Sequence, residues 1–346
     1  MPFAFSAKTN SLTILFVLAL AGCAAAEKKT ETAVQSSPQV ATLPLDRADF
    51  ASWLSEMKRE AVTKGIRPDV VEAAFAGVEP IPRIIELDRK QPEFTLSFSQ
   101  YMDRVVPPSR VEKGRAKVAD NRALIEEVGK KYGVQPRFIA ALWGVETDFG
   151  RTLGGFNVVH ALTTLAYDGR RSAYFRQELM NALTILNEGH VTSEKMVGSW
   201  AGAMGQSQFM PSSFLKFAQD YDGDGHKDIW NSQADVFASA ANYLAKSGWD
   251  SSTTWGREVH LPPGFELSLV GLEASKSLSD WQGLGVRCLD GSDLPNRDLK
   301  ASLVQPKGEI GRTFLVYDNF RTIMKWNKST YFALAVGRLA DGIGGN

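Results

Sequence analysis

The chain has 346 residues, 44% of them hydrophobic and 23% charged, with 39 basic and 39 acidic side chains and a formal net charge of zero. With its polar ends set aside it leaves roughly 300 residues, enough for a large core and more than one subdomain. The charge balance argues against a polyanion-binding surface, so nucleic acid is not an expected partner.

Lys8 precedes the apolar run Leu12-Thr13-Ile14-Leu15-Phe16-Val17-Leu18-Ala19-Leu20, too short to span a bilayer comfortably and followed by small residues. These are the features of a cleaved targeting segment. Its end, Leu20-Ala21-Gly22-Cys23, resembles the bacterial lipoprotein processing box. That resemblance implies loss of residues 1–22, lipidation of Cys23 and membrane attachment through the lipid; the alternative is a plain signal peptide with a chance cysteine. With Cys23 lipidated only Cys288 remains, so no intramolecular disulfide is expected. Ala24, where Asp would retain the protein elsewhere, fits the periplasmic face of the outer membrane of a Gram-negative cell. Residues 23–46 are polar and lack apolar periodicity, the composition of a flexible tether.

A helical region is expected over 47–110. Phe50, Trp53, Leu54, Met57 and Ala61 form one apolar stripe, and Val70, Val71, Ala74 and Phe75 form another after Pro68. A Pro-containing connection, Glu79 to Pro92, leads to Phe94–Met102, in which periodicity alone makes Tyr101 a core residue. One long helix is predicted from Ser109 to Gly133.

The most informative run is Pro136-Arg137-Phe138-Ile139-Ala140-Ala141-Leu142-Trp143-Gly144-Val145-Glu146-Thr147-Asp148-Phe149-Gly150. Phe138, Leu142 and Val145 recur at helical spacing, Pro136 suits a first helical position and Gly150 a stop. Glu146 falls on the buried side, near the negative end of the helix dipole. Both conditions raise a carboxyl pKa, as a general acid working near neutral pH requires. The plainer alternative is an ion pair with a neighbour such as Arg151.

Beyond Gly154 and Gly155 the chain reads Tyr167-Asp168-Gly169-Arg170-Arg171, then a helix with Tyr174, Phe175, Leu179, Leu183 and Leu186 inward. Adjacent arginines are ordinarily a solvated face. The stretch Gly198 to Ser213 mixes glycines, aromatics and amides before a Pro-Ser-Ser helix start. It suits either close approach to a sugar or tight helix packing. Asp220, Asp222 and Asp224, with Gly225, His226 and Asp228, match positions one to nine of an EF-hand calcium loop, His226 contributing its carbonyl, while Asn231 stands where a bidentate Glu is expected. A weakly held structural calcium or sodium is expected in the 220–231 loop, against an ion-free acidic turn. A helix follows from Ala234 to Lys246. Pro262, Pro263 and Gly264 then open a small β-containing stretch, with short strands predicted over 265–270, 284–288, 301–304 and 313–317. Trp326-Asn327-Lys328-Ser329 precedes a closing amphipathic helix.

Gly144-Val145-Glu146-Thr147-Asp148-Phe149-Gly150, the Ser199 to Ser213 run, the Asp220 loop and Trp326-Asn327-Lys328-Ser329 occur in an order that resembles the membrane-bound lytic transglycosylase B family, over about residues 47–345. The resemblance implies an α+β, mainly α fold: a helical subdomain (47–110), a lysozyme-like core (111–250), a β-rich subdomain (251–325) and a C-terminal helix (326–346) packing back on the helical region. It also implies cleavage of the β-1,4 bond between N-acetylmuramic acid and N-acetylglucosamine in peptidoglycan, with 1,6-anhydro ends. Glu146 would protonate the bridging oxygen and then take the muramyl 6-hydroxyl proton, with no cofactor required for the chemistry. Ser199 and Gln208 would bond the sugar and help set Glu146. Tyr101, Tyr243 and Asn327 would line the cleft, and Arg170 and Arg171 would face substrate carboxylates. Trp326 stands where that family often has Tyr, so a contact made through a hydroxyl is not expected there. Many relatives add a C-terminal wall-binding domain, for which no room is expected here. The spacing is compatible with this chemistry, because ordinary glycosidases need two flanking carboxylates and Asp148 is expected to face away. A muramidase hydrolysing the same bond, or a non-catalytic wall-binding scaffold, are the competing readings.

Overall fold

Residues 47–90, 96–306 and 311–345 are described in this computed structural model, so the targeting segment, the tether and Cys23 lie outside the described residues. The chain opens with α1 (Arg47–Thr63), which buries Phe50, Met57 and Ala61, and α2 (Pro68–Ala74). Where the sequence predicts only a Pro-containing connection, α3 (Pro82–Lys90) forms with Ile84, Ile85 and Asp88 inward. Pro82 takes the first helical position, where the missing N–H has no helical partner to lose. α4 (Phe98–Val105) opens on a capping box made by Ser97 and Gln100.

The single helix predicted from Ser109 to Gly133 is two, α5 (Pro108–Asp120) and α6 (Arg122–Tyr132). Asn121 at the junction donates its side-chain amide to the Lys117 carbonyl at 2.9 Å, an alternative to continuing the helix. α6 ends on Gly133 in the left-handed region, φ 66°. α7 (Pro136–Thr147) is buried at every position from Phe138 to Val145, and a helix apolar all round belongs in the centre of a core.

β1 (Phe156–Asn157), α8 (Val158–Asp168) and α9 (Ser172–Asn187) follow, and β2 (Val197–Gly198) returns to pair antiparallel with β1. α10 (Pro211–Phe217) and α11 (Gln233–Lys246) complete this part, and the main core extends from α1 to the last helix.

The β-containing stretch is a five-stranded antiparallel sheet of β3 (Gly256–His260), β4 (Gly271–Ser277), β5 (Arg287–Cys288), β6 (Lys300–Val304) and β7 (Thr313–Val316), in the order β4-β6-β7-β3-β5. With the short helix α12 (Leu278–Gly283) it encloses a second small core around Trp281, Leu278, Val286 and Leu303. The strand predicted over 265–270 is instead a 3-10 turn at Leu267–Leu269, and β4 starts after it. Asp318–Trp326, expected as the tail of the β stretch, is helix α13, whose Phe320, Ile323 and Trp326 join the main core. α14 (Thr330–Gly344) closes the chain against α7, so closely that a Cβ on Gly144 would come within 3.0 Å of Leu339. The whole is mainly helical with small sheets, the expected α+β class. Among the described residues no helix is long and apolar enough to cross a membrane.

Candidate active site

The end of α7 explains the motif around Glu146. Asp148, Phe149 and Gly150 are successive left-handed residues, at φ 50°, 60° and 80°. This reversal folds the Phe149 ring back over α7, and a Cβ at Gly144 would stand 2.6 Å from that ring. Gly144 is therefore a packing requirement of the turn that fixes Glu146, two residues along.

Glu146 meets Trp326, 180 residues later in the chain, whose indole Nε1 donates to its Oε1 at 2.7 Å. The residue as a whole is half-buried, and its carboxyl is walled by protein. Desolvation pushes its pKa up to about 8, against the opposing indole hydrogen bond. Among the described residues no other charged side chain contributes to that shift. Arg151, the alternative ion-pair partner, bonds Asp148 instead, at 2.5 Å. Asp148 also receives Lys113 at 3.0 Å and Arg110 at 3.5 Å, so although burial pushes its carboxyl up, these three cations bring it below the usual range.

Tyr101 of α4 lies near Glu146. Burial, and then the charge of Glu146, raise its phenol well above the ordinary value. Its ring lies 5.6 Å from that of Tyr331. Behind Trp326, the rings of Tyr243 and Phe209 pack at centroid distances of 4.7 and 5.1 Å, tilted by 57° and 53°. The Tyr243 hydroxyl donates to the Lys325 carbonyl at 2.6 Å, and Asn327 Oδ1 accepts from the Ser329 amide at 3.0 Å. Both residues are buried, with these polar atoms on the main chain, so they brace the Trp326 segment.

Ser199 is buried as well, its hydroxyl accepting from the Ala203 amide at 3.0 Å, and Gln208 donates to the carbonyls of Leu153 and Gly205. The glycines around them are explained by chain packing: a Cβ on Gly198 would lie 2.1 Å from the Ala203 carbonyl oxygen, and one on Gly202 2.4 Å from Leu162. Arg170 and Arg171 both bind the buried carboxylate of Asp88 at 2.5 Å, tying the α8–α9 turn to α3. The Arg170 side chain remains 43% exposed.

In the acidic loop, the carboxylates of Asp220, Asp222 and Asp235 offer oxygens within 4.8 Å of one another. Asp235, three residues into α11, lies beyond the twelve-residue template and adds a carboxylate that the template does not include. Burial, and then the charges of Asp222 and Asp220, push its pKa up, the electrostatics of a cluster suited to a hard cation. Main-chain amides bond acids across this loop: Asp220 accepts from Gly223 and Gly225, Asp224 from His226, Asp228 from Trp230 and Asn231, and Asp235 from Tyr221 and Asp228. The His226 ring contacts the Gly189 carbonyl at 3.0 Å.

A sequence profile described as Transglycosylase SLT domain matches residues 49–341. The chain belongs to this family. It is 31% identical over 257 residues to membrane-bound lytic murein transglycosylase B of Escherichia coli K12, covering 71% of this chain and 67% of that protein. Its fold matches SltB3 of Pseudomonas aeruginosa, solved with NAG-anhNAM-pentapeptide, at a TM-score of 0.83 and 44% identity over 86% of this chain and 80% of that one. It also matches the Escherichia coli lytic transglycosylase Slt35 in complex with calcium, at a TM-score of 0.72 and 27% identity over 84% of this chain and 92% of that one. The lysozyme-like core expected from the motifs is thus the family's core.

Sequence reasoning missed the contacts of four residues in this transglycosylase core. Trp326 is the hydrogen-bond partner of Glu146 in its own right, through N–H rather than O–H. Asp235 completes the acidic cluster, and its signal was an acid next to the Ser232 helix cap. Arg110 and Lys113 hold Asp148, and one turn separates them on α5.

Proposed function

We propose that Glu146 alone serves both halves of the reaction in this peptidoglycan lytic transglycosylase, which cleaves the β-1,4 bond between N-acetylmuramic acid and N-acetylglucosamine and leaves 1,6-anhydromuramic ends. The observation that carries this is a carboxyl walled in against the Trp326 indole, pushed up to about 8 by burial, with no charged side chain among the described residues bearing on that shift. Asp148 belongs to three cations, and Glu178 to the amide and hydroxyl of Ser212. A hydrolase of the usual kind needs a second carboxylate to act as nucleophile or to activate water. Here the substrate's own acetamido and 6-hydroxyl groups take that part: the neutral acid gives its proton to the leaving oxygen, and the carboxylate then removes the 6-hydroxyl proton as the ring closes.

Tyr101 and the exposed part of Arg170 are assigned to the glycan side of the cleft, the arginine toward lactyl or peptide carboxylates. The acidic loop is assigned a structural calcium held by Asp220, Asp222 and Asp235, in keeping with the calcium complex of Slt35. Anchoring through a lipid on Cys23 at the periplasmic face of the outer membrane is supported by the processing box and tested by mass analysis of the mature N-terminus.

Digestion of purified sacculi decides the chemistry. Anhydro-muramyl ends from the native chain, and no release from folded Glu146→Gln, are expected. Reducing muramic acid ends would make it a muramidase, and unchanged release by Glu146→Gln would make it a binding scaffold.

A further inference from the structure

Gln206 is only 6% exposed, and its side-chain polar atoms are all engaged. Its Oε1 accepts from Trp143 Nε1 at 2.7 Å and from Gln233 Nε2 at 3.0 Å, while its Nε2 donates to the Trp230 carbonyl at 2.9 Å. Two donors on one end and a carbonyl on the other leave no doubt about which way the amide faces. Its main chain repeats the pattern: the amide donates to the Ile229 carbonyl at 2.8 Å, and the carbonyl accepts from Thr147 Oγ1 at 3.0 Å.

One residue therefore bonds α7 on both flanks of Glu146, at Trp143 and Thr147, and bonds the acidic loop at Ile229 and Trp230. On the loop side the same atoms lead to the carboxylate cluster. The Trp230 amide donates to Asp228, and the Asp228 amide donates to Asp235 at 2.7 Å. On the α7 side there is no slack, because a Cβ on Gly150 would sit 2.4 Å from Gln206 Oε1. Movement of the Asp220–Asp235 segment thus bears on the backbone that carries Glu146 through directed hydrogen bonds.

We propose that Gln206 is a positioning residue for Glu146, joining the acidic loop to α7 so that a cation in that loop is felt in turnover rather than in substrate affinity. The proposal rests on the assignment of Glu146 as the acid and of the loop as the cation site. A misplacement of about 1 Å at a reacting group can reduce turnover by about 10²-fold, so loss of a buried five-bond junction behind Glu146 acts on kcat.

The test uses the mature chain and a soluble oligomer of alternating N-acetylglucosamine and N-acetylmuramic acid, with calcium or a chelator, comparing native protein with Gln206→Met. Thermal melts report calcium binding independently of activity. The expected result is a calcium-induced rise in melting temperature in both proteins, with kcat of Gln206→Met lowered about tenfold or more and KM changed less than about twofold. The calcium-to-chelator ratio of kcat, above one in the native chain, should fall to one in the variant. Native kcat in Gln206→Met, a loss confined to KM, or a calcium response that survives the substitution overturns the proposal. If Gln206→Met does not melt cooperatively, Trp143→Phe removes only the indole donor while keeping an aromatic against Phe149 and Phe237, and the same criteria apply. A native chain that melts higher with calcium but turns over no faster refutes the coupling and leaves Glu146 untouched. Turnover by Glu146→Gln refutes the parent assignment instead.

Discussion

Replacing Trp326 by Phe tests the electrostatics of the site most directly. The substitution removes one donor, the indole N–H 2.7 Å from Glu146 Oε1, and keeps an aromatic ring near Tyr243 and Phe209. That hydrogen bond favours the carboxylate, and it is the opposing influence to the burial that raises Glu146 to about 8. A hydrogen bond to a charged group is worth about 1.5–3 kcal/mol against about 0.5–1.5 for a neutral one, and each pKa unit corresponds to about 1.4 kcal/mol, so its loss should raise Glu146 further by about one unit.

The sign follows from the role. A general acid works in its protonated form, so activity falls as pH rises through its pKa. The native chain should lose turnover on the alkaline side with a midpoint of about 8, and Trp326→Phe should carry that limb upward by about one pH unit. Release of soluble fragments from sacculi, measured from about pH 5 to 10 at fixed ionic strength, reads both profiles. An alkaline limb that stays in place or moves down in a folded variant would refute the assignment of that limb to Glu146. Trp326→Tyr restores a donor and should return the limb toward the native position.

Three further outcomes follow from the same geometry. Glu146 is raised from 4.5 in the unfolded chain to about 8 in the folded one, so the folded state holds the extra proton between those values and loses stability as pH rises through them. At pH 7 the interval above 4.5 is 2.5 units, or at most about 3.4 kcal/mol, so Glu146→Gln should melt several degrees above the native chain at pH 7 and level with it at pH 4. Gly198→Ala would drive a Cβ to 2.1 Å from the Ala203 carbonyl, which cannot yield without opening the turn, and denaturant melts should show a loss of about 3 kcal/mol or more. Calcium at about a hundred times its Kd should stabilise the native chain by about 2.7 kcal/mol, and Asp235→Asn should abolish most of that gain in thermal melts.

The parts legible in the sequence were those whose causes are local. α7 could be placed because Pro136 and the apolar residues at helical spacing lie within it and Gly150 just beyond it, and the inward face of Glu146 followed from that spacing. The elements misplaced were those whose local signals conflict. Prolines around 79–92 hid α3, although one of them starts it, and Asn121 interrupted a periodicity that otherwise ran unbroken. The site itself depended on longer reach. Trp326 meets Glu146 only because α13 and α14 return to the main core after the β sheet, a detour that no local pattern encodes. Asp235 was hidden for a milder reason, since the loop template stops four residues before it. The arginines illustrate the converse: Arg170 and Arg171 were visible as a pair, but Asp88, which holds them, lies more than 80 residues earlier.

The raised pKa also accounts for how one group can act twice. An acid that must later be a base needs a conjugate strong enough to take a proton from a sugar hydroxyl. The interval between 4.5 and about 8 makes this carboxylate a stronger base than a solvated glutamate by about three powers of ten, so the burial that keeps the acid protonated before cleavage also strengthens the base that remains after it. Trp326 adds the geometry. An indole can only donate, so Oε1 accepts from it whether Glu146 is charged or neutral, and the mobile proton is left to Oε2. Under the proposed assignment the proton would be given and recovered through one oxygen of a carboxyl that does not have to rotate between steps. A partner able to both donate and accept, such as a hydroxyl, would not enforce that choice.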